Sequence, residues 1–249
     1  MDVQLPKRLR TIPILEATAE VRFSDAVPTG AELLVGGFFQ HFKGQFNRSE
    51  RLPLADIPQP IRWNDANLRF APTYRLQGGN QSLLIGDRSI AVSVVEPYPG
   101  WESFRKIVEE VFSKVSTIRG NAAPVRASLK YVNLIESELG TDHLKLLDLA
   151  VCVGGTTLTN QPTTLKTEII DGSFVDVVQV VTQASAVREA GEPAKHGVVV
   201  DIDVIYTGKL GELATETALE LLDEIHGREK RRFFSILSSD TLNALGPEY

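Results

Sequence analysis

A single cysteine and four histidines are all that 249 residues supply of the side chains that most often ligate metals or act as nucleophiles. With Cys152 alone no intramolecular disulfide can form, and no metal-ligand or phosphate-loop spacing is present. No apolar run approaches the ~20 residues that a membrane-spanning helix needs. The charged stretch Met1–Arg10 is not followed by the apolar core of a secretory signal. These absences lead us to expect a cytoplasmic, non-membrane protein with no cofactor and no resident metal, and to assign no residue a catalytic role.

What is present is an ordinary globular composition, 43% hydrophobic and 23% charged. A chain of this length buries roughly 70% of its unfolded surface, enough for a large core. The net charge of −6 is unevenly placed. Residues 1–125 hold 15 Lys and Arg against 13 Asp and Glu, whereas residues 126–249 hold 11 against 19. An acidic second half repels a phosphate backbone, which argues against nucleic acid as a partner.

Periodicity then gives the fold class. Glu16–Phe23 alternates strictly, with Ala17, Ala19, Val21 and Phe23 on one side and Glu16, Thr18, Glu20 and Arg22 on the other, as in a strand with one wet face. After Pro28-Thr29-Gly30, the segment Ala31–Phe46 changes to helical spacing, weakened by Gly36-Gly37. Asn47–Pro60 reads as a loop or edge segment. Leu68–Gln77, Ser82–Asp87 and Ser89–Glu96 read as a strand meander, and Trp101–Ile118 as an amphipathic helix. Val125–Ile135, Leu149–Val153, Leu165–Ile170, Phe174–Thr182 and Val198–Tyr206 are further strands, with Asp171-Gly172 as a hairpin turn. Ala184–His196 reads as an exposed connector, and Leu213–Leu237 as a long helix that Gly227 interrupts. Short turns imply antiparallel pairing. The expectation is one α+β domain over residues 1–249, a large curved antiparallel sheet covered on one face by amphipathic helices. The halves 1–136 and 137–249 have the outline of a pseudo-repeat, and whether they build one sheet or two is left open.

Four stretches carry a resemblance. They are Pro13-Ile14-Leu15-Glu16-Ala17 with Val21-Arg22-Phe23, then Trp101-Glu102-Ser103-Phe104, then Arg126 through Tyr131-Val132-Asn133, and finally Leu221-Leu222-Asp223-Glu224-Ile225-His226 with Phe233-Phe234. In order and spacing the chain resembles a sporadically distributed prokaryotic family of uncharacterised proteins of about this length. The resemblance implies no particular chemistry. Its patchy distribution suggests a mobile or defence-type gene setting and an accessory, partner-binding role. The family motif favours Arg where this chain has Lys130.

Candidate sites follow, each beside a plainer reading. Arg22, Arg126 and Lys130 converge on an anion pocket if their strands are neighbours; equally, Glu16, Glu20 and Glu168 neutralise them as cross-strand pairs. His226, with Glu229 one turn on, is either a ligand or base or an edge-of-core histidine, and His41 shares that ambiguity. Asp201 and Asp203 share a strand face, as a metal pair does, yet a solvated face explains them too. Arg228, Lys230, Arg231 and Arg232 either complement a helix C-terminus or form a basic patch. Cys152 reads as a small buried hydrophobe. The leading expectation is a non-enzymatic protein that binds a protein partner or its own copy. The alternative is a small-anion binder or enzyme with its pocket between the sheet and the C-terminal helix.

Overall fold

Alternating burial along one central strand organises the molecule: Ala17, Ala19, Val21 and Phe23 are at most 1% exposed, while the residues between them stay half-buried. The computed structural model describes residues 5–25, 30–120, 123–187, 193–211, 213 and 216–249. In chain order the elements are β1 (Arg8–Leu9), β2 (Ile14–Phe23), α1 (Ala31–His41), β3 (Arg48–Arg51), α2 (Gln59–Asn64), β4 (Pro72–Gly78), β5 (Gln81–Gly86), β6 (Ser89–Val95) and α3 (Trp101–Arg119). They continue with β7 (Pro124–Glu136), β8 (Cys152–Val153), β9 (Thr156–Thr157), β10 (Thr164–Asp171), β11 (Phe174–Ala186), β12 (Lys195–Tyr206), α4 (Glu216–Ile236), α5 (Ser239–Ala244) and β13 (Pro247–Glu248).

Nine strands form one antiparallel sheet in the order β10-β11-β12-β7-β2-β6-β5-β4-β3, so strands of both halves share a single α+β layer. The join is the β2–β7 pair, in which Ala17 faces Tyr131 and Arg22 faces Arg126. The apolar rows of this sheet meet Leu34 and Phe38 of α1, Phe104, Val108 and Val111 of α3, and Leu222, Ile225 and Phe233 of α4 in one core. Each such side chain, fully buried, contributes ~1.5–3 kcal/mol. Gly37 lies where α1 packs on α3: a Cβ there would lie 2.6 Å from Ile118 Cγ2, so the glycine that weakens the helix permits the contact.

Several expectations change on the structure. Of the two readings of Asn47–Pro60, loop or edge segment, the edge holds: it forms edge strand β3 and then enters α2, which the buried pair Arg62–Asp87 (2.8 Å) pins with Trp63 donating to the same Asp87 oxygen. Leu149–Val153 contributes no strand to the large sheet; only the exposed β8–β9 hairpin forms, because Gly154-Gly155 folds it back on itself. Cys152 is therefore exposed, contrary to its reading as a buried hydrophobe. Gly227 does not interrupt α4, which runs unbroken through it. β11 and β12 extend into the expected connector 184–196, of which residues 188–192 lie outside the described residues. So do Pro28, Thr29 and Ala214. Among the described residues no helix is long and apolar enough to cross a membrane.

Candidate functional site

Strand parity divides the polar residues of β7 between two faces. Arg126, Ser128 and Lys130 point one way and Tyr131 and Asn133 the other, since successive side chains alternate. The first face is a lattice of ion pairs. Arg126 Nη2 meets Asp203 Oδ2 at 3.2 Å, Lys130 Nζ meets Asp201 Oδ2 at 2.8 Å, and Arg22 Nε meets Glu20 Oε2 at 2.7 Å. The three cations are thus neighbours, and the two aspartates are the carboxylates that neutralise two of them. Glu168 takes no part, since it lies on the edge strand β10. Desolvation raises the pKa of Asp203, offset by Arg126, and it lowers that of Arg126. Among the described residues no three His, Cys, Asp or Glu side chains gather as a metal ion would need.

The second face floors a cavity of about 680 Å³ between β2, β7, the start of α3 and the middle of α4. Its inner wall is aromatic. Tyr98 and Tyr131 share a hydroxyl–hydroxyl hydrogen bond of 2.9 Å with rings at 80°. Trp101 stacks on His226 at 3.9 Å between centroids, and Tyr131 lies 6.0 Å from the same imidazole. Local sequence explains these placements. Gly100, at φ +88°, takes a left-handed turn that L side chains avoid, and so starts α3 directly behind Tyr98-Pro99. Asp223, one turn before His226, then ties α4 to α3 by accepting from Trp101 Nε1 (3.2 Å) and both Arg105 Nε and Nη2 (2.9 and 3.0 Å).

Burial shifts the titration of the two α4 groups in opposite senses. Desolvation, helped by Lys230, lowers the His226 imidazole to about 4, so it is neutral at pH 7, and its Nδ1 is buried with no hydrogen-bond partner. Desolvation raises the Glu229 carboxyl to about 8, only partly offset by Lys230, so it is mostly a protonated acid at pH 7. One helix turn thus brings together a proton donor and a proton acceptor, the arrangement that general acid–base chemistry uses. Burial also raises the Tyr98 and Tyr131 hydroxyls, with Glu229 adding to both.

The rim is basic. β1 and β13 pair with each other, so Lys7, Arg8 and Arg10 stand at the mouth beside Lys230 of α4. Glu248 engages Arg8 and lies 3.6 Å from Arg10. With Glu229 protonated, these cations outnumber the remaining anion at the cavity.

Of the residues singled out from sequence, His226 lines this cavity, whereas Arg22, Arg126, Lys130, Asp201 and Asp203 belong to the opposite face of the sheet. His41 lies in the last turn of α1, its ring edge-on to Phe42. Arg228 and Arg232 both hold Asp176, a β11 carboxylate 1% exposed, at 2.5 and 2.9 Å, while Lys230 lines the cavity. They dock α4 on the sheet and do not sit in its last turn. Tyr98, Trp101, Tyr131 and Glu229 were not singled out as site residues. Tyr131 and Trp101 belong to the segments that carry the family resemblance, and Glu229 is at i+3 from His226. No protein-family model matches the chain, and no curated protein is significantly similar to it.

Proposed function

We propose that the protein binds a small anionic molecule with a flat apolar body in the cavity between the sheet and α4. The observation that carries this reading is the layering of the site, with cations at the mouth and stacked aromatics and a protonated Glu229 inside. Cations hold the anionic group, the Trp101–His226 and Tyr98–Tyr131 rings face the body, and Glu229 donates one hydrogen bond to an acceptor on it. The pocket composition, mostly apolar with few convergent polar groups, is that of ligand sites generally.

Thermal denaturation against a panel of inorganic phosphate, nucleoside monophosphates and aryl carboxylates tests it. A ligand of this kind raises Tm in proportion to the logarithm of its concentration. The gain should vanish in Lys230→Ala and persist in Lys130→Ala, which alters the opposite face. A panel with no stabilising anion, or stabilisation insensitive to Lys230, would contradict the reading. Incubating each binder with the protein and following its consumption decides whether the Glu229–His226 pair also turns it over.

Association with a macromolecular partner, in a mobile or defence-type setting, is the second reading. It is supported by the eight-residue edge strand β10, on whose outer side no strand pairs among the described residues.

A further inference from the structure

The two edges of the nine-stranded sheet differ in kind. The β3 edge is four residues long, Arg48-Ser49-Glu50-Arg51, with three charges, and a Pro53–Asp56 turn follows it. Short, charged edges of this sort resist pairing with another chain. The β10 edge is eight residues long, Thr164–Asp171, and every residue except Leu165 is exposed. Ile169 and Ile170 are 36% and 73% exposed. Among the described residues no strand pairs with its outer side.

Ladder geometry tells which backbone groups that edge offers. Thr182 N donates to Thr163 O at 3.0 Å, and Asp171 faces Phe174 across the hairpin turn. In an antiparallel ladder alternate residues point their N–H and C=O at the partner strand. The odd-numbered residues of β10 therefore face β11. Thr164, Lys166, Glu168 and Ile170 present their N–H and C=O outward.

A second copy meeting this edge antiparallel must pair outward residues with outward residues. Three symmetric registers keep most of them paired, with residue 166, 167 or 168 on the two-fold axis. The first sets Lys166 against Lys166 of the other copy, and the third sets Glu168 against Glu168. The register on Thr167 instead sets Lys166 opposite Glu168, twice, and Thr164 opposite Ile170, also twice. On the helix-covered face it brings Leu165 beside Ile169. All four outward residues of each strand are then used, in about eight new backbone hydrogen bonds. Only this register joins opposite charges.

We propose that the protein forms a two-fold symmetric dimer by pairing β10 with β10 of a second copy, Thr167 lying on the axis. The sheet then continues unbroken from one copy into the next, and the apolar row Leu165–Ile169 is covered by its own symmetry mate. The ligand cavity of each copy stays outside the junction, because β11, β12 and β7 separate β10 from β2.

Light scattering on the full chain is the test. The wild-type protein should show twice its 27.4 kDa mass at micromolar concentration. Lys166→Glu and Glu168→Lys, each at an exposed site, should each weaken association roughly tenfold by placing like charges opposite each other. The double variant Lys166→Glu/Glu168→Lys should restore it. A second measurement fixes the register: Thr167→Cys in a Cys152→Ser background should oxidise to a covalent dimer, since residues on the axis face each other at disulfide distance. A monomeric wild type, single reversals without effect, a double variant that fails to recover, or a Thr167→Cys protein that does not cross-link would each overturn the proposal.

Discussion

Trp101 and His226 lie ring on ring, 3.9 Å between centroids and 11° from parallel. The stack joins the first residue of α3 to the middle of α4 and keeps the imidazole dry. Burial lowers the His226 pKa from 6.5 to about 4. Below pH 6.5 the unfolded chain binds a proton that the folded one refuses, so stability is intact above that value and falls as the pH drops towards 4. His226→Phe keeps a ring in the stack without a titrating group. Between pH 7.5 and pH 4, urea unfolding should show the wild type losing roughly 3 kcal/mol more than this variant. Parallel losses in the two proteins would refute a buried neutral imidazole.

Glu229 has the opposite dependence. Its carboxyl titrates near 8 when folded, against an ordinary value of 4.5. Between those values the unfolded chain sheds a proton that the folded one retains, so stability falls as the pH rises from about 4.5 to 8. Glu229→Gln should abolish this fall, leaving the variant more stable than the wild type at pH 8.5 by on the order of 4 kcal/mol. Equal midpoints for both proteins at pH 8.5 would show the carboxylate to be solvated.

The Tyr98–Tyr131 hydroxyl pair, 2.9 Å apart, predicts non-additivity. Removing either oxygen leaves a buried hydroxyl without its partner, so Tyr98→Phe and Tyr131→Phe should each cost about 1–2 kcal/mol. The double variant should cost less than the two combined. A strictly additive cycle in chemical denaturation would mean that the hydroxyls do not interact.

Asp176 should be a sensitive carboxylate, since it anchors α4 to the sheet. It is 1% exposed and receives both Arg228 and Arg232 from α4. Asp176→Ala strands the Arg232 guanidinium at the helix–sheet contact, leaves Arg228 with Asp171 alone (2.8 Å), and should destabilise by about 3–5 kcal/mol. A loss within experimental error in guanidinium unfolding would remove this clamp from the account of how α4 is held.

The sequence made the strands legible where burial is one-sided. The alternation of Glu16–Phe23 appears as the 0–1% row of Ala17, Ala19, Val21 and Phe23, and the helical stripe of Trp101–Ile118 appears as α3. It misled where an apolar run had no sheet neighbour, as at Leu149–Val153, since a run alone does not say which strand it will pair with. The site was half visible. Parity within β7 already separates Lys130 from Tyr131, and the spacing of His226 and Glu229 already places them a turn apart. What no local pattern shows is that β2 pairs with β7 and that the Tyr98 loop folds over Tyr131, because these are long-range contacts. Arg22, Arg126 and Lys130 share a face only because β2 and β7 pair, and their anions are the aspartates of β12 as well as Glu20.

The pairing of β1 with β13 has a practical corollary. Arg8 faces Glu248 and Leu9 faces Pro247 across this short ladder, so two segments far apart in sequence are laced together at the doorway of the cavity. A purification handle fused next to either strand would hang over that doorway, and trimming the tail at Gly246 would strip away its acidic gatepost. Binding data gathered on tagged or shortened protein will therefore report on the tag and the cut as much as on the pocket.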